Sequence, residues 1–504
     1  MNRRLTEKAQ SIHPREAITA GRLKAFGVLS VLVIVAAIPA PAQDKLPPSN
    51  AVSFATLLNF DGTNDSYPSA SFVQGLDGDL YGSATIATFS DGSIFKITPA
   101  GALTTLFDFC KTDCDDGEIT NSLVLATDGN FYGTTYFGGS GATCPNTAGC
   151  GAFFKMTPDG TLTTLYSFCS QTNCADGANP YSALIQATDG DFYGTAQGGG
   201  INNDGTIFKL TPQGALTLLH TFDFNDGAYP TSTLVRDAVG NFYGSAFAGG
   251  DEGNGLGVVF KITPNGAFTV LHSFNGTDGS TPTGALVETD GKLFGTTSYG
   301  GNGLACPSSN GCGTFFMITP SGELATLYSF CSRTNCTDGN YPFAPIILGT
   351  DGYFYGTTQD VTTNGHGTIF KVSRDGVLTT LHSFDGNDGY FPNGLFQATN
   401  GSFYGTAGAG GTGNYGTVFS LSVGLRPFVE TVPISGKVGD TVMILGNDLV
   451  DATHVFFNHT EAAFKVVSSS EIQTTVPAGA TTGLVAVTRR GPRLSSNVQF
   501  QVRP

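Results

Sequence analysis

The chain of 504 residues contains no tryptophan, four methionines and few charged side chains, which make up 13% of the sequence. Glycine and proline are abundant instead, with 69 and 24 copies. A composition rich in glycine and proline is typical of chains with many short secondary-structure elements joined by tight turns. The composition therefore favours an all-β fold.

Positive charge is also scarce, because 24 Lys and Arg residues stand against 40 Asp and Glu residues and leave a net charge of -16. The sequence shows no basic stripe with interleaved aromatic side chains. Such a chain would repel a polyanion. Nucleic acid is therefore excluded as a partner.

The sequence has little that resembles an active site. It shows no nucleophile beside a general base, no converging carboxylates and no metal-ligand spacing, so no cofactor is predicted beyond the Ca²⁺ considered below. Three histidines share one strand position of the repeats described below, where other repeats have aromatic residues: His220, His272 and His382, against Phe107, Tyr166 and Tyr328. We interpret these histidines as surface residues that fill the repeat pattern.

The N-terminus has the pattern of an export signal. A basic segment over residues 1–24 leads into an apolar run, Ala25 to Ile38, and then into small residues that end at Ala42. The run is short for a membrane-spanning helix, and small residues after it are typical of a cleavage site. We predict a signal peptide over residues 1–42 and a secreted, periplasmic or cell-surface protein without an integral membrane segment after cleavage. An uncleaved N-terminal anchor is the alternative.

A short motif, an aromatic residue followed by Gly and then Thr or Ser, recurs at intervals of about 50 to 60 residues. Its seven copies begin at Tyr81, Tyr132, Tyr193, Tyr243, Phe294, Tyr355 and Tyr404. Each copy lies in a pattern of four short strands, with Asp-Gly or Asn-Gly turns and Thr-Pro-x-Gly turns that suit tight connections. Repeats of this kind predict a β-propeller.

The ends of the repeat region indicate how the ring closes. The seventh copy stops after its third strand, near residues 417–421, and the missing piece precedes the first copy at residues 54–60. Closure into a ring removes exposed ends of the stack. We predict a seven-bladed β-propeller over residues 51–424, in which the N-terminal strand 54–60 completes the last blade.

The repeated blocks also resemble a known family. The blocks Phe-Tyr-Gly-Thr-Thr, Gly-Thr-x-Phe-Lys-x-Thr-Pro-x-Gly and Leu-Thr-x-Leu-x-Ser-Phe are similar to the GloVer-type "choice-of-anchor" tandem repeats of secreted bacterial proteins, over roughly residues 52–423. That family has no firmly assigned activity. The resemblance therefore implies export and display more than a particular chemistry.

The repeat period ends near Gly424, and a second domain is predicted over residues 426–504. Its alternating strands, separated by Gly and Pro, resemble an IPT/TIG domain, which is an immunoglobulin-like sandwich. In an exported protein this resemblance implies a spacer or a protein-contact module. The predicted fold class is thus all-β, a seven-bladed β-propeller followed by a small immunoglobulin-like β-sandwich.

The ten cysteines of an exported chain are expected to form disulfides. They occur as five close pairs: Cys110/Cys114, Cys144/Cys150, Cys169/Cys174, Cys306/Cys312 and Cys331/Cys336. We predict that each pair closes on itself, and pairing between loops of one blade is the alternative around blades 2 and 5. The order of strands in a blade places all five pairs at one mouth of the ring.

That mouth also collects one aspartate from each repeat: Asp65, Asp116, Asp176, Asp226, Asp278, Asp338 and Asp388. Two interpretations stay open. Either each Asp caps its own turn, or the carboxylates form an acidic circle near the axis that attracts Ca²⁺ or a cationic or hydroxyl-rich ligand. On the innermost strands, we predict a structural ion pair between Arg236 and Glu288 of adjacent blades.

Two functions are consistent with these features. The first is an extracellular, non-catalytic binding or scaffold protein that presents propeller loops to a glycan or to an extracellular or cell-surface protein. The alternative is a carbohydrate-active enzyme, a lyase or glycosidase that uses the propeller channel. The fold alone does not choose between them. The scarcity of Glu and of convergent His favours binding.

Overall fold

The computed structural model describes residues 52–62, 66–69, 71–85, 92–109, 117, 120–141, 144, 149–250, 255–303, 306, 308–360 and 365–504. The predicted signal peptide, Asp65, Asp116, Cys110 and Cys114 lie outside the described residues. Within these ranges no helix has the length and apolar character needed to cross a membrane.

In the described part of the chain, strands between Ser53 and Ser422 form seven antiparallel sheets, one for each copy of the repeat. The first strand, β1 (Ser53–Asn59), belongs to the seventh sheet. Sheet 1 contains β2 (Ser66–Pro68), β3 (Val73–Gln74), β4 (Leu80–Thr85), β5 (Gly92–Ile97) and β6 (Leu103–Asp108). Sheet 2 contains β7 (Thr120–Leu125), β8 (Phe131–Thr135), β9 (Ala152–Met156) and β10 (Leu162–Ser167). Sheet 3 contains β11 (Ala178–Pro180), β12 (Ile185–Gln186), β13 (Phe192–Gly198), β14 (Thr206–Leu210) and β15 (Leu216–Thr221), and a 3-10 turn precedes it at Thr172–Cys174.

The remaining four sheets follow the same order. Sheet 4 contains β16 (Ala228–Pro230), β17 (Val235–Arg236), β18 (Phe242–Ala248), β19 (Val258–Ile262) and β20 (Phe268–Ser273). Sheet 5 contains β21 (Val287–Thr289), β22 (Lys292–Thr297), β23 (Thr314–Ile318) and β24 (Leu324–Ser329). Sheet 6 contains β25 (Ile347–Leu348), β26 (Phe354–Thr358), β27 (Thr368–Val372) and β28 (Leu378–Ser383), after a 3-10 turn at Thr334–Cys336. Sheet 7 contains β29 (Tyr390–Gln397), β30 (Phe403–Ala409), β31 (Thr417–Ser422) and β1.

Each sheet is built from tight hairpins with two buried central strands. In sheet 3, Ile185 pairs with Tyr193 across a turn in which Gly190 has a φ of 88°, a conformation that residues with a side chain rarely adopt. The second and third strands, β13 and β14, are mostly buried, whereas the fourth strand, β15, is half exposed. Central strands buried on both faces fit sheets that stack between two neighbours.

An apolar cluster fills every seam between consecutive sheets, including the seam between sheet 7 and sheet 1. At five seams the aromatic residue of the repeat motif packs on a phenylalanine of the next sheet at 4.1 to 4.5 Å between ring centroids: Tyr81 on Phe131, Tyr132 on Phe192, Tyr193 on Phe242, Phe294 on Phe354 and Tyr355 on Phe403. Buried aromatic pairs of this kind contribute large apolar areas. The repeat motif therefore joins one sheet to the next.

The seventh sheet combines the two ends of the repeat region. Strand β1 pairs antiparallel with β31, with Phe54 opposite Leu421 and Asn59 opposite Thr417. The ring of Phe54 also stacks on His382 of sheet 6, with centroids 3.7 Å apart. Strand β1 therefore covers the edge of β31 and contacts the preceding sheet.

The first strands of the sheets lie around a narrow polar channel. The lining comes from the start of six repeats and is rich in small hydroxyl side chains: Ser69, Ser71, Ser182, Thr231, Thr233 and Thr283. The strand order within each sheet places the fourth strand on the edge farthest from the first strand. Side chains on fourth strands therefore lie away from the channel.

The C-terminal residues form two further sheets. Their strands are β32 (Glu430–Val432), β33 (Ser435–Lys437), β34 (Thr441–Leu445), β35 (His454–Phe457), β36 (Thr460–Ala462), β37 (Phe464–Val466), β38 (Glu471–Thr475), β39 (Gly483–Thr488) and β40 (Leu494–Arg503), with a 3-10 turn at Leu449–Asp451. One sheet has the order β32-β34-β38-β37, and the other has the order β33-β40-β39-β35-β36. Buried Val, Ile, Leu and Phe side chains from both sheets form a single core.

These C-terminal sheets contact one side of the seven-sheet ring. Ser470 Oγ donates to the carbonyl of Leu76 at 2.7 Å, Asn447 Nδ2 to Thr399 Oγ1 at 2.7 Å, and Arg503 Nη1 to the carbonyl of Thr188 at 2.9 Å. The three acceptors belong to turns between first and second strands, and we name this side the turn face. The opposite side, which holds the loops between second and third strands and between consecutive sheets, is the loop face.

Candidate functional site

The five predicted acidic positions that the structure describes each lie against the fourth strand of the sheet that precedes them in the chain. Asp176 and Asp338 are 1% and 0% exposed, and they accept hydrogen bonds from Tyr166 Oη and Tyr328 Oη at 2.5 and 2.6 Å. Asp226, Asp278 and Asp388 lie within 2.7 to 2.9 Å of a histidine Nε2.

These carboxylates also accept hydrogen bonds from backbone N–H groups of their own loops. Asp338 accepts from Ser332 N and Arg333 N, and Asp278 accepts from Asn275 N. The described aspartates therefore hold turns at the outer strands and do not surround the axis. With their oxygens engaged in this way, the five described aspartates fit the interpretation in which each Asp caps its own turn, and they do not converge on a shared site.

The three histidines of the repeats have a more specific role than the sequence suggested. His220, His272 and His382 contact Asp226, Asp278 and Asp388, each six residues further along the chain, at 2.9, 2.9 and 2.7 Å. His220 also stacks on Phe268 of the next sheet at 3.8 Å, as His382 does on Phe54. His272 and His382 thus hydrogen-bond to the turn that follows their strand, and His220 and His382 pack on an aromatic ring across a boundary between sheets.

The predicted ion pair between Arg236 and Glu288 is absent, although both residues are described. Arg236 Nη2 donates to Thr188 Oγ1 at 3.2 Å in the preceding sheet, whereas Glu288 accepts from the backbone N–H of Gly291. Glutamines at the equivalent position make the same kind of bridge, because Gln186 Oε1 accepts from Thr127 N and Gln397 Oε1 from Thr350 N. The side chain at this strand position therefore hydrogen-bonds to the turn of the preceding sheet. This bond directs the guanidinium of Arg236 away from Glu288.

All four predicted disulfides whose cysteines the structure describes are present, and each joins a cysteine to its near neighbour: Cys144–Cys150, Cys169–Cys174, Cys306–Cys312 and Cys331–Cys336. The sulfurs of Cys150, Cys169 and Cys174 lie within 4.8 Å of one another, but all three are in disulfides and none is a thiolate ligand. All four bonds are on the loop face. Disulfides persist in oxidising compartments, which indicates an extracellular or periplasmic location.

One repeat position on the loop face has an unusual backbone conformation. The residue before the first-strand proline has a positive φ in all six described copies: Tyr67, Asn179, Tyr229, Thr281, Tyr341 and Phe391, with values from 49° to 57°. For a bulky or β-branched residue this conformation costs on the order of 1–3 kcal/mol. Sites with such repeated strain are candidates for function.

Contacts with the preceding sheet impose this conformation. The N–H of Asn179 donates to the carbonyl of Cys150 at 2.7 Å, and the N–H of Tyr341 to the carbonyl of Cys312 at 3.1 Å. The following proline packs on a glycine of the same preceding loop, where a Cβ on Gly205 would lie 2.5 Å from Pro230. Two of the disulfides therefore hold the carbonyls that orient Asn179 and Tyr341.

Side chains at and near this position form a continuous aromatic surface on the loop face. We name it the aromatic mouth and define it by six rings: Tyr136, Tyr229, Phe247, Tyr299, Tyr341 and Phe391. Four of them, Tyr229, Phe247, Tyr299 and Phe391, are 37% to 46% exposed, whereas the tyrosines of the repeat motif are buried. Exposed rings grouped in this way make the loop face the candidate site.

Two cavities lie within the aromatic mouth and share Phe247. The larger, of about 530 Å³, is lined by Tyr299, Tyr341 and Phe391 together with Gln359 and Asp360. The smaller, of about 330 Å³, is lined by Tyr136 and Tyr229 together with Asn179, Asn203 and Gln197. Both volumes suit small ligands or short segments of a polymer.

The polar groups of the aromatic mouth are mostly neutral. Asn179 Nδ2 donates to the carbonyl of Tyr136 at 2.8 Å, and Tyr136 Oη donates to Gln197 Oε1 at 2.8 Å. Burial raises the pKa of Tyr136, so its phenol stays protonated and can donate. Among the described lining residues Asp360 is the one charged group. The electrostatics therefore favour an uncharged ligand with hydroxyl groups.

A family comparison agrees with the repeats seen in the structure. The model of the Gloeobacter/Verrucomicrobia repeat matches residues 120–343 and 303–482, which together exceed half of the chain. The chain belongs to the Gloeobacter/Verrucomicrobia repeat family. The predicted family resemblance of the repeats is thereby confirmed, whereas the resemblance of the C-terminal domain to IPT/TIG stays a prediction.

Other comparisons add little to this family membership. No curated protein matches the chain. Solved structures with some likeness include the extracellular domain of a hybrid two component system from B. thetaiotaomicron, with 11% identity and a TM-score of 0.47 over 90% of this chain and 57% of that chain. An auxiliary nutrient binding protein from Bacteroides thetaiotaomicron has 11% identity and a TM-score of 0.40, over 76% of this chain and 78% of that chain. A gluconolactonase from Xanthomonas campestris has 10% identity and a TM-score of 0.35, over 74% and 89%. With TM-scores below 0.5, these likenesses do not bear on function.

Within the Gloeobacter/Verrucomicrobia repeats, three rings of the aromatic mouth, Tyr229, Tyr341 and Phe391, each lie three residues after an aspartate singled out in the sequence. The overlooked signal is the variable residue between Asp-Gly-x and Pro, which is Tyr229 before Pro230 and Phe391 before Pro392. An aromatic side chain next to a proline at the start of a strand is a poor candidate for the core of a sheet. A prediction based on charged residues therefore does not identify these aromatic side chains.

Proposed function

We propose that the chain is an extracellular, non-catalytic glycan-binding protein, built as a seven-bladed β-propeller with a C-terminal immunoglobulin-like sandwich. The seven sheets with filled seams, and β1 alongside β31, support a closed ring of blades. The two C-terminal sheets around one apolar core support the sandwich. The disulfides support export.

The observation that carries this proposal is the cluster of exposed rings in the aromatic mouth. A pyranose ring has faces made of C–H groups, which pack on aromatic rings, and an edge of hydroxyl groups, which bind amides and phenols. The mouth offers both kinds of partner, because Tyr229 and Phe247 lie beside Asn179 and Gln197. Ligand sites commonly combine aromatic walls with a few polar groups that set orientation.

The charges of the mouth favour binding over hydrolysis. A glycosidase of the usual type needs two carboxyl groups about 5 to 9.5 Å apart, one as acid and one as base or nucleophile. Asp360 is the single carboxylate among the described lining residues. The described mouth therefore has the groups that hold a sugar and lacks a described pair that would cleave it.

A glycan screen followed by calorimetry tests the proposal. Purified mature protein is tested against plant and bacterial polysaccharides, with retention and reducing ends both measured. We expect retention without new reducing ends, and a loss of affinity of about tenfold or more for Tyr229→Ala and Phe391→Ala, which corresponds to about 1.4 kcal/mol. Tyr353→Ala is the matched control, because Tyr353 is 39% exposed but lies in a turn of the turn face.

Two results would contradict the proposal. New reducing ends would establish the enzyme alternative. Equal affinity in Tyr229→Ala, Phe391→Ala and Tyr353→Ala would place any glycan elsewhere on the chain. A screen without retained glycans, combined with capture of a protein at the same surface, would reassign the aromatic mouth to a protein partner.

A further inference from the structure

A further cavity lies on the other side of the ring, between the turn face and the C-terminal sheets. Its volume is about 410 Å³. We name it the interface cavity, and its apolar lining comes from both parts of the chain: Val124, Leu184, Ile185 and Val235 from sheets 2 to 4, and Val432 and Ile434 from the C-terminal sheets. It shares no residue with the aromatic mouth, so it represents a separate site.

Several buried polar atoms at the interface cavity have no hydrogen-bond partner among the described residues. They are the hydroxyls of Thr431 and Ser435, which are 3% and 2% exposed, and the Nε atoms of Arg236 and Arg503. Thr431, Ser435 and Arg236 line the cavity, and Arg503 bonds to the carbonyl of Thr188 in its wall. Buried polar atoms normally have partners, so a group of unpaired ones calls for a ligand or ordered water.

All four atoms can donate a hydrogen bond, and two of them belong to the guanidinium groups of Arg236 and Arg503. Arg236 has no described carboxylate within ion-pair distance, and Arg503 lies 3.8 Å from Asp440. Asp237 also lines the cavity, but its oxygens already accept from Gly240 N, Asn241 N and Tyr243 Oη. An acceptor with a negative charge is therefore the complement of this end of the cavity.

We propose that the interface cavity binds a small amphipathic monocarboxylate. The carboxylate accepts from Arg236 and from the hydroxyls of Thr431 and Ser435, and the aliphatic or aromatic body packs between Val124, Leu184 and Val432. Because walls of the cavity come from both the ring and the C-terminal sheets, a bound carboxylate also ties these parts together. This proposal is independent of glycan binding at the aromatic mouth.

Calorimetry with three probes tests the two halves of this ligand. Octanoate carries both the carboxylate and an apolar body, whereas octan-1-ol lacks the charge and acetate lacks the body. We expect octanoate to bind the mature full chain at least about tenfold more tightly than either of the other probes.

Arg236→Gln is the decisive variant. Glutamine already stands at the same strand position in other repeats, as Gln186 and Gln397, so the substitution keeps a residue that this fold accepts. We expect octanoate affinity to fall at least about tenfold in Arg236→Gln, and to be unchanged in the control Arg374→Gln, whose guanidinium already pairs with Asp290. Thr431→Val, which keeps the side-chain shape, should give a smaller loss.

The results that overturn the proposal are equally specific. Equal octanoate affinity in the wild type, Arg236→Gln and Thr431→Val would show that the carboxylate does not contact these side chains. Equal affinity for octanoate and octan-1-ol reduces the site to an apolar cavity. No binding of octanoate at millimolar concentration shows that the unpaired donors are satisfied by water alone. None of these results changes the expected glycan affinity of the aromatic mouth.

Discussion

Replacing Asp338 by alanine should destabilise the chain strongly, although Asp338 lies in a loop. Its side chain is 0% exposed and accepts three hydrogen bonds, from Tyr328 Oη at 2.6 Å, Ser332 N at 2.9 Å and Arg333 N at 3.3 Å. A hydrogen bond to a charged group contributes about 1.5–3 kcal/mol, and contributions of neighbours do not add fully. We therefore expect Asp338→Ala to lower the free energy of unfolding by about 3–5 kcal/mol.

The assay is urea unfolding followed by circular dichroism, with the midpoint shift converted through a common m value. Asp338→Asn keeps one carbonyl acceptor and should lose about half as much stability. Asp375→Ala, in an exposed turn, is the control and should leave the midpoint unchanged. A shift below about 1 kcal/mol for Asp338→Ala would refute the assignment of these aspartates to turn bracing, and would reopen a role in binding.

Three further predictions follow from the same contacts. Deleting residues 52–59 removes β1 and exposes the edge of β31. The product should therefore aggregate, or melt at a lower temperature in a thermal scan. Unchanged cooperative melting of a soluble product would show that β1 is not needed. Exchanging Cys306 and Cys312 for serine should lower the free energy of unfolding by about 2 kcal/mol, because the loop is no longer closed in the unfolded chain. Glycan binding should also weaken, because the carbonyl of Cys312 accepts from the N–H of Tyr341. Unchanged affinity would show that this disulfide does not support the aromatic mouth. Burial alone would raise the pKa of Asp278, but hydrogen bonds from His272 and Asn275 outweigh it and lower that pKa. The contribution of Asp278 to stability is thus present at neutral pH and is lost as the pH falls below about 4. Asp278→Asn should therefore reduce the dependence of the free energy of unfolding on pH at acid pH. An equal acid dependence in both proteins would contradict this.

Much of the fold could be predicted because short motifs in each repeat indicate where its strands begin and end. Asp-Gly turns, the aromatic-Gly motif and Thr-Pro-x-Gly turns recur at fixed spacing, and each has a direct structural consequence. The aromatic residue of the motif also recurs in one structural role, as when Tyr193 stacks on Phe242 of the next sheet. Two cysteines close together in the sequence are similarly predicted to bond to each other, and Cys144 and Cys150 do so.

The site could not be predicted in the same way, because it depends on contacts between sheets. One of the two interpretations placed Asp176 near the axis, but its carboxylate accepts a hydrogen bond from Tyr166 on the fourth strand of the preceding sheet. Arg236 was paired with Glu288 because they occupy adjacent repeats, whereas the side chain reaches the turn of the preceding sheet at Thr188. The orientation of Tyr229 follows from a positive φ and from an N–H bond to the carbonyl of Asp204, which no local pattern specifies.

Hydrogen exchange with a bound glycan tests the central claim most directly, because it locates the ligand without any substitution. Backbone amides of the mature chain are compared with and without the tightest oligosaccharide from the screen. The account predicts slower exchange on the loop face, in the segments around Asn179, Tyr229, Tyr341 and Phe391, and unchanged exchange in the turns around Leu76 and Tyr353 on the turn face. Protection confined to the turn face or to the C-terminal sheets, with the aromatic mouth unchanged, would contradict it.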